Sequence, residues 1–338
     1  MIETDKQPRD SKPDRQPTLK DVAERAGVGV STVSYVLANK PKSVGDDARA
    51  RIWDAARALG YRPNMAARSL VTRRTNLIGL WVPQAASSFT AGIISHIQAL
   101  AREDGYEVLI RELNTASTTS HALSTATWSV DGVIVFLGAA DHQPGHVHDA
   151  VMGLPAVSMG ALPLPGTDFV GVELTTASLA AVRHLAAIGR IRIGYLAPCS
   201  ASSAADQRRS AYDTVIAECR QSPIIVQSPE NTRASAYETV RTFLGSGESV
   251  DALFCYNDEA ALGAYRALRD FGKRVAADVT LIGCDGIEDV EYLDWPLSTI
   301  VIPTAQMCAT AWRYMAKRLA TPNAKPVRSL FSARLELR

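Results

Sequence analysis

Hydrophobic and polar positions along the 338 residues fall into two regimes. Up to about residue 62, apolar side chains recur at three- and four-residue steps, the period of one helical face. Leu19, Val22, Ala23 and Ala26 make the first such face. Thr18 ahead of them can cap the helix by accepting from the backbone N–H of Asp21, whose carboxylate suits the positive end of the helix dipole. Gly27 breaks the pattern and supplies the left-handed geometry that ends a helix. In the next helix Val33, Val36 and Leu37 face inward, while Val30, Ser31, Thr32, Ser34 and Tyr35 face out. A third runs from about Asp46 to Leu59, with Ala48, Ile52, Ala55, Ala56 and Leu59 inward and Trp53 extending that face to close a small core. Gly60-Tyr61-Arg62-Pro63 stops it. Two short helices around a glycine turn predict a helix-turn-helix, whose second helix can lie in the major groove of DNA.

From Asn76 the period changes. Leu77–Val82 is a continuous apolar run ended by Pro83, which predicts a buried strand. A helix from about Phe89 to Glu103 follows, then the strand Tyr106–Ile110, a second helix, and the strands Gly132–Leu137 and Pro155–Ser158. Val182–Ala187 is helical and leads into a second series: strand Ile191–Leu196, helix Asp206–Glu218, strand Ile224–Gln227 and helix Ala234–Phe243. Ala252–Tyr256, a helix over Glu259–Phe271 and Thr280–Gly283 complete it. Alternation of this kind makes parallel sheets with right-handed crossovers. Two series imply two Rossmann-like halves with a ligand cleft at the strand C-termini.

Charge sharpens the division. Residues 1–76 carry 15 Lys+Arg against 9 Asp+Glu, and the remainder carries 21 against 26. A basic head on an acidic body is what a DNA-binding segment on a sensor would show. Residues 1–16 are polar with Pro8 and Pro13 and no periodicity, which predicts a disordered tail. Asn39-Lys40-Pro41-Lys42 reads as a basic loop. Asn64–Leu70 is helix-prone but only about two turns long, too short to be stable alone in water. It is either a plain linker or a hinge that becomes helical on DNA. No run of 18 apolar residues and no signal peptide is present, so no membrane span is expected. The five cysteines lack CxxC spacing, which argues against zinc and disulfides and fits a reducing cytoplasm.

TLKDVAERAGVGVSTVSYVL, GYRPNMAARSL and IGLWVP, followed by Asn257-Asp258 with ALGAYRAL, then LIGCDG and LSTI, resemble the LacI/GalR family of bacterial transcription regulators in order and spacing. The resemblance implies a homodimer that binds a pseudo-palindromic double-stranded operator. It also implies a periplasmic-binding-protein-like body that senses a small molecule, expected to be a sugar or sugar derivative. The implied divisions are a head at 17–62, a hinge at 63–75 and a body at 76–338. Within the body, an N-terminal half takes about 76–172 and 303–328, and a C-terminal half takes 173–302 and 329–338.

Carried over by position, Val30, Ser31 and Tyr35 take the base-reading places, and Thr32 and Ser34 take phosphate places, where hydroxyls fix register without reading sequence. Thr18 and Asn39 join the DNA-facing set. Asn64 and Ala67 fall in the hinge, and Leu70 matches a leucine that wedges into the minor groove. Many relatives have arginine where Tyr35 stands, so the operator half-site should differ there. Gly29 and Gly45 replace the family's usual serine caps at a cost of only a few tenths of a kcal/mol. In the body Arg208, Asn257 and Asp285 match effector-holding positions, and a guanidinium fork, an amide and a carboxylate suit neighbouring hydroxyls. Trp81, Phe89 and Phe136 are candidate cleft aromatics, although Trp81 and Phe136 equally suit the core because both lie near the ends of apolar strand runs.

His142, His146 and His148, with Asp141 and Asp149, do not share a helical face, so a solvated loop is expected there rather than a metal site. No GxGxxG, P-loop or catalytic triad stands out, and neither an enzyme nor a cofactor is expected. Replacing Leu70 with Ala is expected to weaken operator binding, read by fluorescence anisotropy on fragments of the source genome. Dimer mass and effector binding should not change. Unaltered DNA affinity would remove the wedge role.

Overall fold

The computed structural model describes residues 16–37, 44–62, 74–113, 130–138, 144–201 and 206–338. The expected tail, the basic loop with Asn39, the hinge with Asn64, Ala67 and Leu70, and the second helix between Ile110 and Gly132 lie outside them. The chain divides into two compact units, residues 1–75 and 76–338.

In the first unit, α1 (Leu19–Ala26), α2 (Val30–Leu37) and α3 (Asp46–Leu59) fall where the periodicity places them. Thr18 and Asp21 cap α1 reciprocally: the Asp21 N–H donates to the Thr18 hydroxyl at 3.4 Å and the Thr18 N–H to the Asp21 carboxylate at 2.6 Å. Gly27 closes the helix at φ +66°, a conformation that penalises any Cβ. Val22, Ala23, Ala26, Val33, Val36, Ile52, Ala55 and Ala56 form the core, with Leu19, Leu37 and Leu59 packed on it. Trp53 corrects the expectation: the residue is 44% exposed. Ile52, Ala55, Ala56 and Leu59 already fill the inward stripe, and Trp53 lies with Arg49 and Arg57 at four-residue steps on the outer one.

The second unit holds two six-stranded sheets among the described residues. The first is built from β1 (Leu77–Val82), β2 (Glu107–Glu112), β3 (Gly132–Leu137), β4 (Ala156–Gly160), β5 (Asp168–Glu173) and β11 (Arg328–Ser332). Their order is β11-β5-β4-β3-β1-β2, and every pair is parallel. Helices α4 (Ser88–Glu103), α5 (Pro144–Val151) and α10 (Thr304–Ala320) belong to this half. The second sheet comprises β6 (Ile193–Pro198), β7 (Ile224–Ser228), β8 (Ala252–Cys255), β9 (Thr280–Asp285), β10 (Ser298–Val301) and β12 (Arg334–Glu336). It runs β12-β10-β9-β8-β6-β7, with only β12 antiparallel. Around it lie α6 (Thr175–Ala187), α7 (Gln207–Glu218), α8 (Arg233–Gly245) and α9 (Asp258–Asp270).

The chain crosses between the halves after β5, after β10 and at Ala333. The last crossing corrects the expected division, which gave all of 329–338 to the C-terminal half. β11 pairs with β5 in the first sheet, and only β12 reaches the second. Ala333 donates to the Glu173 carbonyl at 3.1 Å, so two crossings run side by side. Gln207 holds the first of them, its Oε1 accepting from the backbone N–H of Leu174 at 2.7 Å and of Thr175 at 3.2 Å. The expected loop around Pro144 is the helix α5, with proline in the first turn, where its missing N–H costs nothing. Helix α6 starts seven residues earlier than Val182, because Ala177, Ser178 and Ala181 supply an inward face of small side chains.

A buried ion pair closes the first half. Arg318 on α10 donates to both oxygens of Asp168 at 2.9 and 2.7 Å, and the Val327 N–H donates to the same carboxylate at 2.8 Å. Asp168→Ala would leave the guanidinium buried without its counter-charge, a loss of about 3–5 kcal/mol. Urea denaturation should show the body's midpoint falling with little change in slope.

Candidate functional site

The outer face of α2 carries Val30, Ser31, Ser34 and Tyr35, all exposed, with Thr32 half-buried beside them. Val33 and Val36 on the opposite side are fully buried and fix how the helix presents that face. Helix α2 opens without a side-chain cap from Gly29. Instead the Gly29 carbonyl accepts from Thr32 at 2.9 Å and Val33 at 3.2 Å. The Thr18 hydroxyl is engaged in its capping box, which leaves it half-buried at the start of α1.

In the second unit a cavity of about 110 Å3 lies between the two sheets, at the C-terminal ends of their strands. Phe89 and Phe136 line it from the first half, meeting edge to face with ring centres 5.8 Å apart. Arg208, Asn257 and Asp285 line it from the second, 5%, 6% and 9% exposed. Five of the six expected body residues therefore meet in one place. Trp81 does not. Its ring sits among Leu113, Val133 and Val135 on the other side of the first sheet, over Gly79 on the same strand face, with the Arg111 guanidinium 5.3 Å from its centre. Strand alternation gives the reason, since neighbours on β1 point to opposite faces.

Each polar wall residue is held by its own element. Asp206 caps α7, accepting from the Arg208 N–H at 3.2 Å, from Arg208 Nε at 3.0 Å and from the Tyr195 hydroxyl at 2.5 Å. Arg208 Nη1 donates to the Tyr256 carbonyl at 3.0 Å, and the guanidinium lies 3.7 Å from the Tyr256 ring centre. Burial alone would pull the Arg208 charge down; Tyr256 and Asp206 outweigh it and keep the group cationic. Asn257 caps α9 by accepting from Ala260 at 2.8 Å, and its amide donates to Asn231 at 2.9 Å. That leaves one amide hydrogen and one lone pair for another partner. Asp285 ends β9 with φ +121°, strained for a residue bearing a Cβ, and among the described residues nothing donates to its carboxylate. Burial, then repulsion from Asp258, pushes its pKa well up.

Three features were not anticipated. Glu259 also lines the cavity and ties the halves together, accepting from the Ser88 N–H of α4 at 3.0 Å and from Arg233 of α8. Arg233 in turn donates to the Ser88 hydroxyl at 2.9 Å and to Asp289 at 2.8 Å. Asp258, next to the cap, accepts from the Gly286 and Ile287 N–H groups at 2.8 and 2.9 Å and from the Thr299 hydroxyl at 2.7 Å. A Cβ at Gly283 would run into that carboxylate. Local sequence carries no signal for ties between residues 145 or 171 positions apart. Among the described residues no cluster of His, Cys, Asp or Glu could hold a metal, and no helix is long and apolar enough to cross a membrane.

A helix-turn-helix head and a two-lobed body with a polar, aromatic-flanked cleft define a DNA-binding transcription regulator with a ligand-binding domain. Comparison with known proteins agrees. Residues 18–64 match the bacterial regulatory proteins of the lacI family, and residues 182–338 match the periplasmic binding protein-like domain. The chain is 30% identical to the HTH-type transcriptional repressor PurR of Mannheimia succiniciproducens, covering 91% of this chain and 93% of that one. It is 28% identical to the ribose operon repressor of Haemophilus influenzae, covering 90% and 93%. Among solved structures it resembles the lac repressor dimer bound to operator and the anti-inducer ONPF, with a TM-score of 0.76, 26% identity and coverage of 95% and 98%. The complex of the transcriptional regulator CelR with cellobiose gives 0.67 and 27%, covering 95% and 99%. The protein belongs to the LacI family of bacterial transcription regulators.

Asp258 gives the body a pH signature. Burial raises its pKa from an ordinary 3.8 to about 7, against the opposing hydrogen bonds from Thr299, Ile287 and Gly286. The folded state thus holds a proton that the unfolded chain gives up, and the stability this contributes is present below pH 3.8 and lost as pH rises through 7. Asp258→Asn keeps an oxygen for the two N–H groups and removes the titration. Relative to the parent, the variant should gain on the order of 2 kcal/mol between pH 5 and pH 8 in urea denaturation. Parallel pH profiles for the two proteins would sink the assignment.

Proposed function

We propose that this regulator is an operator-binding repressor of a carbohydrate operon, acting as a homodimer and controlled by a small polyol in the body cleft. The observation that carries the reading is the convergence of Arg208, Asn257 and Asp285 on a cavity floored by Phe89 and Phe136. Apolar ring faces suit the C–H face of a sugar, and the three polar groups can each engage a pair of neighbouring hydroxyls. The named relatives and structures, among them a ribose operon repressor and a cellobiose complex, support the same class.

On the DNA side, Val30, Ser31 and Tyr35 are assigned to base edges, and Thr18, Thr32, Ser34 and Asn39 to phosphates. Asn64, Ala67 and Leu70 are assigned to a hinge that enters the minor groove. Effector binding changes how far the body halves close, and it controls DNA binding by favouring one closure state over the other.

The test is a thermal-shift screen of sugars and nucleosides on the full chain, followed by anisotropy with operator DNA in the presence of each stabilising compound. One neutral sugar should raise the melting temperature and shift operator affinity at least fivefold. Asp285→Ala should abolish the stabilisation while leaving ligand-free DNA binding within twofold. Stabilisation only by nucleosides would overturn the carbohydrate assignment, and ligand binding with no change in operator affinity would overturn the coupling.

A further inference from the structure

Helix α2 presents four exposed side chains, Val30, Ser31, Ser34 and Tyr35. At 3.6 residues per turn they follow one another around its outer surface in the order Val30, Ser34, Ser31, Tyr35. Hydroxyls therefore fill the middle of the face, with an apolar and an aromatic group at its edges. The whole helix, VSTVSYVL, holds no Arg, Lys, Asn, Gln, Asp or Glu. Those are the side chains that tell bases apart by hydrogen bonding in the major groove: Arg and Lys at guanine, Asn and Gln at adenine, Asp and Glu at cytosine. Hydroxyls of serine and tyrosine both donate and accept, so they fit either kind of base edge. One difference stays legible to such a face, the C5 methyl group of thymine, and Val30 is the apolar residue placed to meet it. It is 45% exposed in the first turn of α2, the end from which a recognition helix reaches base edges. Gly29 before it puts no side chain in the way.

We infer that α2 reads the 5-methyl groups of pyrimidines rather than guanine, and that Val30 sets this preference. Each operator half-site then carries a thymine under the start of α2, and 5-methylcytosine is accepted in its place better than plain cytosine. The inference rests on the assignment of α2 to base edges above and deepens it. Covering the Val30 methyls with a base methyl removes apolar surface of both partners from water. A pyrimidine with only hydrogen at C5 leaves a gap there and forfeits those contacts. Exchanging thymine for 5-methylcytosine keeps the methyl and turns the O4 acceptor into an N4 donor, a change the adjoining Ser34 hydroxyl can follow by rotating. The preference is graded, because one methyl contact is worth only about fourfold in affinity.

Selection of bound duplexes from a random DNA library by the full chain supplies the probe, and fluorescence anisotropy on the selected duplex supplies the test. One thymine of the enriched half-site should be sensitive to exchange for deoxyuridine, which removes the methyl and nothing else. Binding should weaken about fourfold with the exchange in one half-site and about fifteenfold with it in both. At the same position 5-methylcytosine should bind about threefold or more tightly than cytosine. In Val30→Ala the thymine and deoxyuridine duplexes should bind within about twofold of each other, a coupling that a double-mutant cycle isolates. A loss in Val30→Ala that falls equally on both duplexes marks a structural role and overturns the part given to that residue. Thymines that can all be exchanged for deoxyuridine without loss overturn methyl reading and leave sequence-specific DNA binding standing. A library from which no sequence is enriched overturns the assignment of α2 to base edges, and this inference with it.

Discussion

The guanidinium of an arginine only 5% exposed must be neutralised inside the protein, and the way Arg208 meets that demand organises the cleft. Its counter-ion, Asp206, is also the cap of α7 and the acceptor for Tyr195, a fully buried residue in the middle of β6. One carboxylate thus ties a core strand, a helix N-terminus and a cavity-lining cation into a single unit. Tyr256 completes the fixture from the end of β8, through its carbonyl and its ring. Moving Arg208 would disturb the core beneath it, so the group is fixed in place at the cavity wall.

The same economy recurs on α9. Three successive residues at its start, Asn257, Asp258 and Glu259, serve three purposes. Asn257 caps the helix and faces the cavity, Asp258 pins the Gly286–Ile287 turn that follows Asp285, and Glu259 reaches the other half of the body. Placing Asp258 against Gly283 fixes the end of β9, so the strained backbone of Asp285 is supported from behind. The tie from Glu259 and Arg233 to Ser88 then links the position of α4 to the helix that carries the cap. The tie between the halves and part of the polar wall thus come from neighbouring residues on one helical turn.

Much of this was legible in the sequence where the interactions are local. The three head helices, Thr18 as a cap, Gly27 as a stop and most of the strands follow from periodicity and turn chemistry over windows of a dozen residues. Arg208, Asn257 and Asp285 were reached through family resemblance, since nothing in their immediate neighbours distinguishes a cleft arginine from a surface one. Trp53 departs from its expected place, and Trp81 takes the core alternative instead of the cleft, for opposite reasons. Trp53 is apolar but stands on a stripe whose inward neighbour was already complete, and Trp81 is aromatic but on the strand face turned from the cavity. Side-chain type did not decide either case; one position of helical or strand phase did. The crossing at Ala333 was misplaced because short edge strands such as β11 and β12 carry little pattern of their own.

The two side-by-side crossings are fastened to one another. Glu173 and Ala333 are joined by a backbone hydrogen bond, and Gln207 grips Leu174 and Thr175 beside them, so these two segments are held as a pair. The third crossing is fastened differently, with the Ile302 N–H on the Asp285 carbonyl at 3.3 Å. That bond ties a cavity-wall residue directly to the segment that leads into the third crossing. Among the described residues of the wall, the non-glycine residue with a positive φ is thus also the one bonded to that crossing.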